Sequence, residues 1–199
     1  MKLTHLVSLA FGSLITWSAL RAEEVTKDPS PGGKFAMLLT RAEEGTAEEG
    51  TASLTLIEVS SRRVVLNLTA EISNPSADDS SLLWSGDSKR VAFFEANRRG
   101  GTTTVYFRND SGFMEISLPE LPSCEVPRKR GEGVVKDIES TVEPKRWLKS
   151  GVLVLHAYVE WETNLGFVRC SETIDFAFDA QDKPSVRTMT RKISRTDSP

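Results

Sequence analysis

Ser81-Leu82-Leu83-Trp84-Ser85-Gly86-Asp87-Ser88-Lys89-Arg90-Val91-Ala92-Phe93-Phe94 places an aromatic anchor, a polar turn and a strand in one short run, and its reading decides the fold class. Leu82 to Trp84 reads as a short apolar strand, Ser85 to Lys89 as a tight turn, and Arg90 to Phe94 as the returning strand. Gly86 is free to take a positive φ, and Asp87 and Ser88 can hydrogen-bond their own backbone, so the chain reverses there. Trp84 is then expected to lie over the turn and the strand that follows.

The same turn-then-strand order recurs on both sides. Upstream, Ser30-Pro31-Gly32-Gly33-Lys34-Phe35-Ala36 leads into Met37-Leu38-Leu39. Downstream, Lys145-Arg146-Trp147-Leu148-Lys149-Ser150-Gly151 carries Trp147 where the first stretch has Trp84, and a long strand is expected over Val152 to Trp161. Between these anchors, alternation predicts strands at Leu54–Val59, Val64–Leu68, Thr102–Arg108, Phe113–Leu118, Phe167–Phe178 and Ser185–Ile193. Ala96 to Gly101 and Asn109 to Gly112 read as hairpin turns. Three sheet-forming units result, at about 30–75, 80–120 and 145–194. A Pro-rich and basic linker over 119–130, with Pro119, Pro122, Pro127 and Arg128-Lys129-Arg130, separates the last two. Val134, Val135, Ile138 and Val142 fall at helical spacing ahead of Pro144, which predicts one short helix near 133–142.

The run Trp84-Ser85-x-Asp87-Ser88-Lys89-Arg90-Val91-Ala92-Phe93 resembles the repeat of TolB-type β-propellers and of the propeller domains of the dipeptidyl peptidase IV and prolyl oligopeptidase families. Gly86 stands where that repeat has a proline, and Gly32 where its Ser-Pro-Asp-Gly-Lys form has the aspartate. The resemblance implies antiparallel meanders in a partial or open β-propeller-like arrangement, since propellers carry typically ~4 to 8 blades and three units do not close a ring. A curved-sheet β-sandwich is the alternative all-β architecture. The resemblance also implies function. In the peptidases the propeller is accessory to a separate hydrolase domain, and TolB-type propellers bind other proteins.

The N-terminus speaks to compartment. Met1 to His5 carries Lys2, Leu6 to Leu20 is mostly apolar without a charge, and Leu20-Arg21-Ala22 precedes Glu23-Glu24. This is the layout of a signal peptide over 1–22, cleaved after Ala22, and the apolar run is shorter than the roughly 20 residues needed to span a bilayer. An exported, periplasmic or extracellular, single β domain over 23–199 is the expectation. The whole chain has 25 basic and 28 acidic residues, and loss of Lys2 and Arg21 leaves it more acidic still, which does not suit a phosphate backbone. Cys124 and Cys170 are the two cysteines; an oxidising destination permits a disulfide, and two separate thiols are the alternative. The acidic stretch Arg41 to Ala52 lacks the order of a calcium loop and reads as a solvated hairpin tip. Asn67-Leu68-Thr69 and Asn109-Asp110-Ser111 are glycosylation sequons in a eukaryotic secretory host.

Catalytic chemistry finds little to work with. There is no Gly-x-Ser-x-Gly elbow, and His156 is the single histidine outside the leader. Two cysteines and one histidine are too few for a zinc site, and no cofactor motif is read. The sequence therefore points to a non-catalytic exported binding or scaffold module whose partner is a protein. The alternative is a small carbohydrate-binding or hydrolytic module in which Trp147, His156, Tyr158 and Trp161 line an aromatic groove.

Overall fold

The computed structural model describes residues 23–41, 51–73, 77–121 and 124–197. The expected leader 1–22 and most of the acidic stretch, 42–50, lie outside the described residues. The fold is all-β, built from antiparallel meanders with no closed barrel. The first meander runs β1 (Glu23–Lys27), β2 (Phe35–Arg41), β3 (Thr51–Glu58) and β4 (Arg63–Ser73). After a 3-10 turn at Ala77–Asp79 come β5 (Ser81–Trp84), β6 (Arg90–Asn97), β7 (Gly100–Asn109) and β8 (Gly112–Ile116). The last four strands are β9 (Val134–Trp147), β10 (Leu153–Thr163), β11 (Gly166–Phe178) and β12 (Pro184–Thr196).

The second and third meanders join through β7, whose outer edge is shared. Its far end pairs antiparallel with β8, while Gly100 and Gly101 at its start pair in parallel with Ser140 and Thr141 of β9. Glycine is required there for space: a Cβ on Gly100 would stand 2.0 Å from the Ser140 carbonyl oxygen, and one on Gly101 would meet the Phe94 ring at 2.5 Å.

Side-chain alternation then divides the second meander between two cores. Leu82 and Trp84 of β5, Val91 and Phe93 of β6, Tyr106 of β7 and Phe113 of β8 pack against Phe35, Met37, Leu39, Leu54 and Leu56 of the first meander. The intervening Leu83, Ala92, Val105 and Ile116 pack against Leu153, Leu155, Ile174 and Phe176 of the third. The period of two along each strand makes this possible, since successive side chains leave opposite faces. The second meander is thus the middle layer of a face-to-face stack.

Each meander makes its first reversal by the same hydrogen-bonded turn. Between β1 and β2 the Gly33 amide donates to the Ser30 carbonyl, and the Ser30 amide donates to the Phe35 carbonyl, both at 2.7 Å. Between β5 and β6 the Ser88 and Ser85 amides repeat those bonds to Ser85 and Arg90 at 2.9 Å, and the Ser85 hydroxyl accepts from the Arg90 amide as Ser30 does from Phe35. Between β9 and β10 a one-residue shorter version joins Gly151 to Leu148 and Leu148 to Val152. The left-handed position falls on Gly33, Ser88 and Gly151, so in the second turn it is Ser88 and not the expected Gly86 that takes φ > 0. A Cβ on Gly86 would meet nothing within 4 Å, so neither conformation nor space demands glycine there.

The tryptophans before two of these turns tie each layer to the one before it. Trp84 Nε1–H donates to the Asp28 carbonyl at 2.9 Å, and Trp147 Nε1–H donates to the Leu83 carbonyl at 2.9 Å. Trp84 also stacks on Phe35, with ring centroids 6.3 Å apart, while Trp147 leans on Phe178 at 5.6 Å. Arg90 adds a third link, its guanidinium donating to Asp182 in the β11–β12 turn and lying 5.2 Å from the Phe178 ring centroid.

Two expectations are corrected. The helix near 133–142 is strand β9: its β-branched residues fit a pleated surface, and pairing with β10 along its whole length outweighs the helical spacing. Pro144 does not end an element; it sits in β9 beside a register shift, where the missing amide is tolerated. The third meander accordingly begins at Val134, ahead of the expected 145. The segment 23–30 contains β1, which pairs with β2 from Glu23↔Arg41 to Lys27↔Met37.

Trp84→Phe and Trp147→Phe each remove one indole donor and leave the carbonyl to water, so each is expected to lower unfolding free energy by about 1–2 kcal/mol. Trp→Ala at either position is expected to cost about 3 kcal/mol or more through lost packing. Urea unfolding followed by far-ultraviolet circular dichroism measures both.

Candidate functional site

The third meander is longer than the middle layer that packs against it, with strands of 11 to 14 residues. Its far end would stand uncovered but for the irregular segment between β8 and β9, which crosses it. That segment is held by a disulfide from Cys124 to Cys170 of β11. Further along, Arg195 of β12 ion-pairs with Glu132 and donates to the Pro127 carbonyl at 2.6 Å. Asn164, in the β10–β11 turn, closes the clamp: Gly133 N–H donates to its Oδ1 at 2.8 Å, and its Nδ2 donates to the Gly131 carbonyl at 2.9 Å.

Among the described residues, hollows remain beneath this strap, and Cys124 lines an outer and an inner one. The outer one, about 340 Å³, is walled by Val126, Arg128, Glu132, Val134, Trp161 and Val168. The inner one, about 180 Å³, lies among Leu121, Val142, Ala157, Cys170 and Glu172. The donor atoms of Cys124, Cys170 and Glu172 fall within 4.8 Å of one another. Joined in a disulfide, however, the sulfurs are not thiolate ligands, and the buried Glu172 carboxylate is already bound by Arg191 at 2.6 Å.

The four aromatic residues expected to share a groove are not brought together. Residues directly opposite in an antiparallel sheet share a face, so Trp147 (opposite Leu153) and Trp161 (opposite Val168) lie on the core side. Trp147 is an interlayer tether near one end of β10, and Trp161 lines the outer hollow at the other end. His156 and Tyr158 lie on the opposite face. There the Tyr158 hydroxyl donates to Glu139, and the Arg169 guanidinium sits 4.8 Å from the Tyr158 ring centroid while its Nε donates to Glu160 at 2.6 Å. His156 is a ring neighbour of Tyr158 at 5.8 Å. Desolvation, reinforced by the hydrogen bond and negative charge of Glu139, pushes the Tyr158 phenol up to about 12. The set is divided by the period-two alternation of the strand that carries three of its members, and an aromatic groove built on all four does not form. Asn109, one of the two sequon residues, uses its Oδ1 to accept from Ser111 and Gly112 and so shapes the β7–β8 turn.

One surface feature went unread in the sequence. β12 ends the strand order of its sheet, so among the described residues its outer edge has no strand beside it. Its residues 185–194 are exposed throughout. Val186, Met189 and Ile193 stand opposite Phe176, Ile174 and Cys170, which puts them on the core side of the sheet, yet each remains about two-fifths exposed. Arg187, Arg191, Lys192 and Arg195 give the strand four cations, and it contains no carboxylate. The signal was available: Pro184 to Thr196 intersperses Thr, Ser and aliphatic residues with charges of one sign only.

No protein-family model matches the chain, and no curated protein matches it. No helix among the described residues is long and apolar enough to cross a membrane.

Glu132 gives the strap a pH dependence. The Lys129 amide, donating to its carboxylate at 2.7 Å, and secondarily Arg195 hold its acid below the ordinary carboxyl value. A carboxyl lowered by folding contributes stability that is present above its unfolded value and lost as pH falls through the folded one. Amide shifts of Lys129 and Gly133 are therefore expected to stay constant above the usual carboxyl range and to move below it. In Glu132→Gln the same titration, followed by nuclear magnetic resonance, is expected to be flat.

A second titration checks the outer face. In wild type the Tyr158 phenolate is expected to appear near pH 12 by ultraviolet difference absorbance, and in Glu139→Gln at lower pH, because the neutral amide removes the negative charge.

Proposed function

We propose that this chain is an exported, non-catalytic binding module that takes an extended, acidic segment of another protein as an added strand along β12. The observation that carries this reading is the open edge of a thirteen-residue strand, exposed over residues 185–194 and bearing cations and no carboxylate. An unpaired edge presents a row of backbone donors and acceptors ready to pair, and natural sheets protect long edges unless they use them. The charge of this edge selects its occupant. A second β12 would bring cations opposite cations, whereas an acidic strand gains from the same side chains. Val186, Met189 and Ile193 supply apolar contact on one face of the added strand, and Lys192 with Thr188 and Thr190 a polar one on the other.

Export is supported by the apolar leader pattern of residues 1–22 and by the Cys124–Cys170 bridge, which suits an oxidising compartment. The reading as a binding module is supported by the lack of a nucleophile motif in the sequence. It also fits the resemblance to propeller repeats, whose TolB-type members bind other proteins. The divided aromatic residues give no comparable support to a sugar-binding groove.

A synthetic peptide of alternating Glu and Val or Thr, matched to the length of β12, tests the proposal. Titration is expected to shift the amides of β12 selectively, with an affinity that weakens as salt rises. Arg187→Glu with Lys192→Glu is expected to weaken binding about tenfold or more, at unchanged circular dichroism. Shifts confined to other strands, binding unaffected by the charge reversal, or a dimer in light scattering that competes with the peptide would overturn the assignment.

A further inference from the structure

Arg128-Lys129-Arg130 is a second unclaimed feature, independent of the β12 reading. Residues 127–131 are five consecutive exposed positions in irregular backbone, in the widest strand-free interval among the described residues. All three basic residues are exposed there, and Gly131 follows with φ +76°, so no proline blocks the bond after Arg130. The tip is a turn closed locally by the Glu132 amide donating to the Lys129 carbonyl and the Lys129 amide donating to Glu132 Oε2. Opening it breaks no strand pairing, because β8 ends at Ile116 and β9 starts at Val134.

We propose that this tip is a processing site for a trypsin-like serine protease, and that the product is a two-chain protein held by the Cys124–Cys170 disulfide. A protease of that class needs an arginine or lysine side chain to reach its acidic specificity pocket, and a segment that can be drawn out extended. Exposed loop tips without sheet bonds meet the second requirement. Hydrolysis breaks the peptide C–N bond after a basic residue of the triplet and consumes one water, leaving a carboxylate on that residue and an ammonium on the next. The bridge straddles the cut: Cys124 belongs to the upstream piece and Cys170 to the downstream one. Anchors also remain on each side. Arg195 holds Glu132 downstream, while upstream the same guanidinium donates to the Pro127 carbonyl. Cleavage therefore frees the strap's tip over the outer hollow without releasing either piece.

The test is brief digestion of the folded full chain with trypsin, followed by mass spectrometry with and without reductant. The expected result is a first cut within Arg128–Gly131 that yields one species, heavier by one water, without reductant and two fragments with it. Replacing Arg128, Lys129 and Arg130 together with serine is expected to abolish that cut while leaving the circular dichroism spectrum unchanged. In Cys124→Ser/Cys170→Ser, the same cut is expected to give two fragments on a denaturing gel without reductant. A first cut at another exposed pair such as Arg62-Arg63 or Arg98-Arg99, or fragments that part without reductant in the wild-type protein, would overturn the proposal.

Discussion

Everything in this fold depends on the middle meander being buried on both faces. Val91 and Phe93 face one neighbouring layer and Ala92, between them, faces the other, so β6 has no solvent side over its central residues. A sheet in that position cannot be stabilised by one partner alone. Trp84 and Trp147 fix how the partners sit, because each indole N–H reaches a single backbone carbonyl of the preceding layer at 2.9 Å. These are directional bonds in a largely apolar setting, where an unmet partner is costly. Nondirectional burial supplies the driving force for stacking, and the indoles select one alignment from the many it would allow.

The stack also explains where the molecule is open. The middle layer is the shortest, so the longer strands of the third meander run past it and need a cover of their own. The segment between β8 and β9 provides it, and because it carries no strand it must be fastened from outside: by the disulfide, by Arg195 and by Asn164. The strap meets β12 at Arg195 and leaves residues 185–194 of that free edge strand exposed. The two candidate interaction features thus share one structural origin, an outer layer larger than the core that supports it.

The β architecture was legible because its signals are local. Turn residues at 30–33 and 85–89 mark reversals that need no tertiary information, and the alternating strands between them carry period-two patterns. The apolar run Val91-Ala92-Phe93-Phe94 carried more than was read from it, since a strand with no polar alternation is one covered on both sides. Errors arose where local preference met pairing. Val134 to Val142 has a helical spacing of aliphatics, yet eleven of the fourteen residues of β9 pair with β10, and a ladder of that length overrides spacing. The site was less visible than the fold. Whether Trp161 and Tyr158 share a surface turns on their odd separation along one strand, which was legible. Which carbonyl Trp147 reaches was not, because that depends on a layer more than sixty residues away in the chain.

Native-state hydrogen exchange of β6, measured beside global unfolding on the same sample, tests the stacked arrangement most directly. If the middle layer is held from both sides, the amides of Val91, Ala92 and Phe93 exchange only through complete unfolding, and their opening free energy equals the global value. Exchange of these three amides at a lower free energy than Leu155 and Ile174 of the third meander would contradict the account. It would mean that the third meander stands without the layer described as its support.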